Sequence, residues 1–261
     1  MPRRPVVTFL SDFGAGSGYP AQMKGEVLRL LPDATLVDLS HEVPPFDVLA
    51  GALLLEPCVP RFPEGAVHVA VVDPGVGTSR RPLCVVDGAG RRLVGPDNGL
   101  LTPFLGEGSA VFLLSDPDLV PRDPGPTFHG RDLFAPVAAW LAGGGDPARL
   151  GPRVADPVRL DGLSAARAPG GFEGTCLAAD PFGNLVTSVR RSDLRAASVA
   201  GVTVAGRPAR LVATFGNGGL GELLALWGSG GRLEIAVREG SAARELGTWR
   251  GAPVRVATLP A

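Results

Sequence analysis

Lysine is almost missing from this chain. Lys24 is the only one among 25 basic residues in 261, and the arginines that supply the rest are scattered. With no second lysine there is no G-x-x-x-x-G-K-[ST] phosphate loop. Charge of one sign is also lacking: 26 acidic residues leave a formal net charge of −1. A protein that coats phosphates needs a basic excess, so nucleic acid is not an expected partner. Cysteine is sparse. Cys58, Cys84 and Cys176 are far apart and form no C-x-x-C, which excludes zinc ribbons and thioredoxin-like redox chemistry. Their odd number, with no signal peptide at Met1–Pro5, fits a reducing cytoplasm. No apolar run approaches the ~18 residues of a membrane span, so no membrane association is expected. The three histidines, His41, His68 and His129, lack local ligand spacing, and neither H-E-x-x-H nor G-x-S-x-G occurs. No metal site and no serine-hydrolase elbow are therefore expected.

What is present is a foldable chain. Hydrophobic residues make up 45%, which argues against global disorder, and 37 Gly and 26 Pro, spread without a period, indicate many turns. Residues 1–160 alternate short apolar strands with helical spacing: strands at 6–10, 35–39, 66–72 and 110–114, and helices at 20–31, 46–58 and 131–142, with a short one at 98–105. Asp87-Gly88-Ala89-Gly90 between apolar runs signals a hairpin. This alternation predicts an α/β N-terminal domain with a largely parallel sheet. Residues 145–171, rich in Pro, Gly and Ala, read as a linker. Residues 161–261 then read as a smaller, antiparallel β-barrel-like domain, with runs at 202–204, 210–214, 223–227, 233–237 and 254–257.

Ligands of open parallel sheets sit at the carboxyl ends of strands, so the polar loops there draw attention. Ser11-Asp12-Phe13-Gly14 follows the first strand. Gly14-Ala15-Gly16 begins a dinucleotide pattern, but the third glycine falls on Tyr19 and the fingerprint fails. Asp12 either satisfies loop amides or accepts from two ribose hydroxyls. Asp73 and Arg80 delimit Asp-Pro-Gly-Val-Gly-Thr-Ser-Arg, a segment able to turn back on itself. They form either a plain ion pair or, with His129, a set that positions and polarises a water. In the second domain, Asp180-Pro181-Phe182-Gly183-Asn184 is either a simple turn or a base-binding element, with Phe182 stacking and Asn184 reading the base edge. Gly228-Ser229-Gly230-Gly231 is either a hairpin loop or a cradle for a carboxylate.

Taken in order, TFLSDFG (8–14), AQMKG (21–25), DLSHEVPPFDV (38–48), VVDPGVGTSRR (71–81), GPDNGLLT (95–102), FHGRDLFAP (128–136), DPFGNLVT (180–187) and GRLEIAV (231–237) resemble the S-adenosylmethionine hydrolases, also called SAM hydroxide adenosyltransferases, relatives of the fluorinases and chlorinases. The resemblance implies an α/β domain joined to a β-barrel-like domain, a homotrimer with sites at subunit interfaces, and cleavage of S-adenosylmethionine to adenosine and methionine without metal or cofactor. It implies Asp73, Arg80 and His129 as the water-activating residues. Asp12 is the implied ribose carboxylate, and Phe46 the aromatic wall at the sugar. Phe182, Asn184 and the Val237 backbone meet the adenine; Asp180, Ser229 and Asn98 meet the methionine. The halogenating relatives carry Tyr where Asp73 stands and an extra loop where only Arg81–Leu93 lies here, so water rather than halide is the implied nucleophile. A non-catalytic adenosine- or S-adenosylmethionine-binding module and a halogenase are the alternatives.

Overall fold

The first strand, β1 (Val6–Ser11), is buried along nearly its whole length and lies between two parallel neighbours, β2 (Thr35–Ser40) and β3 (Val67–Val71). The helix α1 (Tyr19–Leu30) carries the chain from β1 to β2, and α2 (Val48–Cys58) carries it back across β1 to β3. Side chains alternate along these strands with the period of two that a pleated sheet imposes. Phe9, Val69 and Val71 pack with Met23 and Val27 of α1, whereas Leu10, Ala70 and Val72 pack with Ala52 and Leu55 of α2. Each helix thus covers one face, and both faces are dry.

Beyond β3 lie β4 (Pro82–Val86), β5 (Arg92–Pro96) and β6 (Ala110–Leu113), in the sheet order β2-β1-β3-β5-β4-β6. β5 runs parallel to β3, while β4 pairs antiparallel with β5 and β6. The predicted Asp87 hairpin is present, its carboxylate accepting from the amides of Ala89 and Arg91 at 2.9 Å each. α3 (Ala135–Ala142) completes the layer beside α1. The structure is a computed structural model that describes residues 4–194, 197–247 and 249–259, so Met1–Arg3 lie outside the described residues.

Three expectations need correction. The helix expected from Phe46 starts at Val48, because Phe46 has a left-handed φ of 65° and Asp47 caps the helix by accepting from the Ala50 amide at 2.9 Å. The helix expected over 98–105 is only a 3-10 turn, Thr102–Phe104. The stretch read as a linker is tied down through Leu160: the Val158 amide donates to Asp97 at 2.7 Å, the Leu160 amide to Thr102 at 2.9 Å, and Arg81 to Asp156 at 2.8 Å.

The chain divides into two units, Met1–Leu160 and Asp161–Ala261. The second contains β7 (Ala166–Ala168), β8 (Gly171–Ala179), β9 (Leu185–Arg190), β10 (Val199–Val204), β11 (Arg207–Leu211), β12 (Leu223–Trp227), β13 (Arg232–Val237) and β14 (Pro253–Thr258). β14 pairs with both β10 and β8, which closes a seven-strand barrel with β7 outside the ring. All pairings are antiparallel except that of β11 with β12. β8 and β9 were not among the strand-like runs, because glycine and polar residues break their alternation; closure of the barrel supplies the pairing that local propensity does not.

One buried polar group gives the N-terminal unit a pH response. His68 of β3 is 1% exposed, 2.8 Å from the Thr8 hydroxyl and edge-on to Phe62. Burial, reinforced by nearby Arg91, holds its pKa down to about 4. The unfolded chain protonates this ring near pH 6.5, so between the two values the unfolded state binds more protons and stability falls as pH drops. The loss approaches ~3 kcal/mol across that window. His129, also lowered, acts in the same direction. Denaturant titrations at pH 7 and pH 5 are expected to show a lower midpoint at pH 5, with the difference reduced in His68→Gln. An equal difference in that variant would assign the effect elsewhere.

Candidate active site

In a doubly wound sheet the switch point is where successive connections leave in opposite directions, and ligands bind outside the strand ends there. Here it lies between β1 and β3. The register pairs Ser11 with Val71, so the loops carrying Asp12 and Asp73 leave the same sheet edge side by side. The loop after β5, with Asn98, leaves the parallel neighbour of β3.

Arg80 is brought back to Asp73 by two tight turns, in which the Val76 amide donates to the Asp73 carbonyl and the Thr78 amide to the Gly75 carbonyl. Gly77 is required at the tip. Its φ is 76°, and a Cβ would lie 2.6 Å from the Pro126 carbonyl oxygen. Through this close approach the Arg80 loop rests on the segment that ends in His129. The Arg80 Nε donates to both Asp73 oxygens, at 3.1 and 3.0 Å, and Nη2 donates to Oδ2 at 2.5 Å. Both side chains are more than nine-tenths buried. The guanidinium also lies 5.4 Å from the centre of the fully buried Phe134 ring.

The third member, His129, has Nδ1 2.6 Å from Arg80 Nη2. A guanidinium only donates, so Nδ1 must accept and the ring proton sits on Nε2. Burial first, then the neighbouring positive charge of Arg80, lowers the His129 pKa and keeps the ring neutral. Two donors remain. One is His129 Nε2–H. The other is Arg80 Nη1, which is buried and has no hydrogen-bond partner among the described residues. Both lack a protein acceptor among the described residues, but Nη1 is also shut off from solvent, which leaves His129 Nε2–H as the donor placed to hold a bound oxygen.

Asp12 is half-buried. Its Oδ2 accepts from the Phe46 amide at 2.9 Å, which ties the two residues implied at the sugar to each other. The Phe46 ring is 69% exposed. Asn98 is engaged with backbone at both ends of its amide: Nδ2 donates to the Val72 carbonyl at 2.8 Å and Oδ1 accepts from the Leu100 amide at 3.1 Å. It therefore braces Val72, just past the end of β3 and one residue before Asp73.

In the C-terminal unit, Asp180 organises its own turn. Oδ1 accepts from the Phe182 and Asn184 amides at 2.9 Å each, and Oδ2 accepts from Asn184 Nδ2 at 2.8 Å. The buried Asn184 thus commits part of its amide to Asp180. Gly183, at φ 83°, lies so close to Ser241 that no side chain fits. The turn thrusts Phe182 outward, 78% exposed, with a free ring face. Ser229 is exposed in the β12–β13 hairpin loop, and Val237, at the buried end of β13, gives its carbonyl to the Gly240 amide at 3.0 Å.

Sequence reasoning missed Phe134, the platform beneath Arg80. The reason is a widened helical turn over Gly130–Phe134, with Ala135 donating to the Gly130 carbonyl, which precedes α3. Such one-turn widenings concentrate at functional sites, and FHGRDLF carries no local signal of one. The mutually edge-on rings of Phe13, Tyr19 and Phe128 were also missed.

Comparison with known proteins identifies the family. A family described as SAM hydroxide adenosyltransferase N-terminal domain matches residues 7–151, and its C-terminal domain counterpart matches residues 174–255. The chain belongs to the SAM hydroxide adenosyltransferase family. The chain is 42% identical to a protein named (R)-S-adenosyl-L-methionine hydrolase from Salinispora tropica, over 97% of each chain. It is 43% identical to one of the same name from Thermus thermophilus, over 97% of this chain and 99% of the relative. A fluorinase from Nocardia brasiliensis is more distant, 33% identical over 74% of this chain and 73% of the relative. A crystal structure of an uncharacterized conserved protein from Thermotoga maritima shares the fold with a TM-score of 0.84 and 34% identity, covering 96% of this chain and all of that one. The Arg81–Leu93 segment is a bare hairpin between β4 and β5.

The tautomer is directly measurable. Nitrogen-15 spectra of the imidazoles are expected to show His129 with Nδ1 unprotonated and Nε2 protonated, persisting below pH 6.5 as the lowered pKa requires. A protonated Nδ1 at neutral pH would contradict the Arg80 contact.

Proposed function

We infer that this chain hydrolyses S-adenosyl-L-methionine to adenosine and L-methionine. The observation that carries the reading is the buried Asp73–Arg80 pair bonded to a neutral His129 whose Nε2–H is left without a protein acceptor among the described residues, in a chain that matches named hydrolases along nearly its full length. Water attacks the ribose 5′ carbon. The new bond is oxygen to carbon, the bond that breaks is carbon to sulfur, and its electron pair returns to sulfur. The sulfonium needs no acid to leave, so the work left to the protein is to prepare and aim the oxygen.

The bonding supports a division of labour. Asp73 spends both oxygens on Arg80 and serves as its clamp. His129 Nε2–H donates to the nucleophile, and the Arg80 charge behind the ring favours its hydroxide form, with the proton released to solvent. Hydroxide meeting a sulfonium cancels charge in the transition state, which a water-poor pocket favours. Asp12 accepts from the ribose, Phe46 flanks it, Phe182 stacks on the adenine with Asn184 and the Val237 backbone at its edge, and Asp180, Ser229 and Asn98 serve the methionine end. The protein acts in the cytoplasm as a homotrimer with sites at subunit interfaces and needs no metal or organic cofactor. Among the described residues no helix is long and apolar enough to cross a membrane.

Incubation with S-adenosylmethionine in oxygen-18 water is expected to give methionine and adenosine labelled at the 5′ hydroxyl. A 5′-halogenated adenosine from saline would move the chain to the halogenases, and tight binding without product would make it a binding module. His129→Ala is expected to cut kcat by about a hundredfold or more with little change in Kd. Asp73→Ala is the less informative variant. It strands a buried guanidinium at a cost of about 3–5 kcal/mol, so its denaturant midpoint is expected to fall as well.

A further inference from the structure

A second histidine lies outside the chemistry assigned so far. His41 is buried, with Nδ1 2.7 Å from the hydroxyl of the fully buried Ser11 and Nε2 3.0 Å from Asp38 Oδ1. Asp38 Oδ2 in turn accepts from Lys24 Nζ at 2.7 Å. Burial alone pushes the Asp38 pKa up, but Lys24 and His41 together hold it below the ordinary carboxylate value, so it is ionised and only accepts. The ring proton of His41 is therefore on Nε2 when the ring is neutral, and the Ser11 hydroxyl donates to Nδ1. Ser11 Oγ also accepts from the Phe13 amide at 3.3 Å. The result is one directed chain of hydrogen bonds: Phe13 amide to Ser11, Ser11 to His41, His41 to Asp38, with Lys24 closing it.

The order Ser–His–Asp invites a nucleophilic reading, which burial refutes, since no Ser11 surface is open to a substrate. What the chain grips is the loop on either side of Asp12. Three further bonds sew the same segments together: the Gly14 amide donates to the His41 carbonyl at 2.7 Å, the Val43 amide to the Ser11 carbonyl at 3.4 Å, and the Ala15 amide to Glu42 at 2.6 Å. Asp12 sits in the middle and holds the Phe46 amide. Neither Ser11 nor His41 needs to touch a ligand for this to matter.

We propose that Lys24, Asp38, His41 and Ser11 form a positioning relay that sets the Asp12 carboxylate for the ribose diol and so governs affinity for the nucleoside rather than the rate of bond cleavage. The proposal rests on the reading of Asp12 given above. A relay of this kind predicts a split in kinetics, because the water-holding set on Asp73, Arg80 and His129 belongs to other loops. Ser11→Ala leaves the buried His41 Nδ1 without its donor and is expected to raise KM for S-adenosylmethionine about tenfold with kcat within about twofold. Lys24→Met is expected to shift KM in the same direction by a smaller factor, and Lys24→Arg to restore it. Backbone amide exchange at Phe13–Ala15 in both weakening variants is expected to quicken while the core strands stay protected. That readout needs no turnover. Wild-type protein that released no adenosine would overturn the functional reading while the exchange data still decided the relay. Unchanged KM with unchanged exchange, or a kcat loss with KM held, would overturn the relay.

Discussion

A guanidinium buried at the end of a parallel sheet cannot stand alone. Removing Arg80 from water carries a desolvation cost of several kcal/mol, which only a close, doubly bonded carboxylate offsets, and Asp73 supplies it. Much of the local architecture serves that pairing. The 73–80 turns bring the two residues together, Gly77 permits the approach of the 126–129 segment, and Phe134 backs the planar cation. Because Asp73 offsets the Arg80 charge while leaving an Nη2 donor for His129, the pair fixes the imidazole as its neutral Nε2–H tautomer.

The residues given roles in the proposed function are of two kinds. Asp73 and Arg80, proposed to prepare the nucleophile with His129, are buried and bonded to each other, and His129 is half-buried against Arg80. Phe46 and Phe182, each proposed to meet the substrate, are exposed on turns whose backbones are fixed by Asp12 and Asp180 respectively. Rigid turns with protruding aromatics lose little order when a flat ligand stacks on them, which helps affinity. The His41 relay commits side-chain hydrogen bonds deep in the sheet to the stiffness of the loop that carries Asp12, the carboxylate proposed to meet the ribose.

The alternation of apolar runs was sufficient to read the α/β layer and the hairpin at Asp87, because both follow from local periodicity and turn chemistry. The residue types at Asp73, Arg80 and His129 were legible too, through the polar loops that follow apolar strands. Less legible were features that depend on what arrives from elsewhere. Phe46 opens no helix because its φ is positive. The 145–160 stretch looked like a linker by composition, yet Asp97 and Thr102 capture its amides across long sequence separations. β8 and β9 became strands because β14 and β13 were there to pair with them.

Sequence alone determined the layer architecture, the short β4–β5 hairpin and the chemical identity of the groups at the strand ends, since spacing and residue type are properties of the chain itself. Only tertiary structure decided what each of those groups is bonded to. It showed Asn98 bracing Val72, Asn184 sharing its amide with Asp180, and Ser11 joined to His41 across thirty positions. The physical reason is that a hydrogen bond is directional and short-ranged: which donor meets which acceptor is fixed by the packing of the sheet and its helices, and no one-dimensional spacing encodes it.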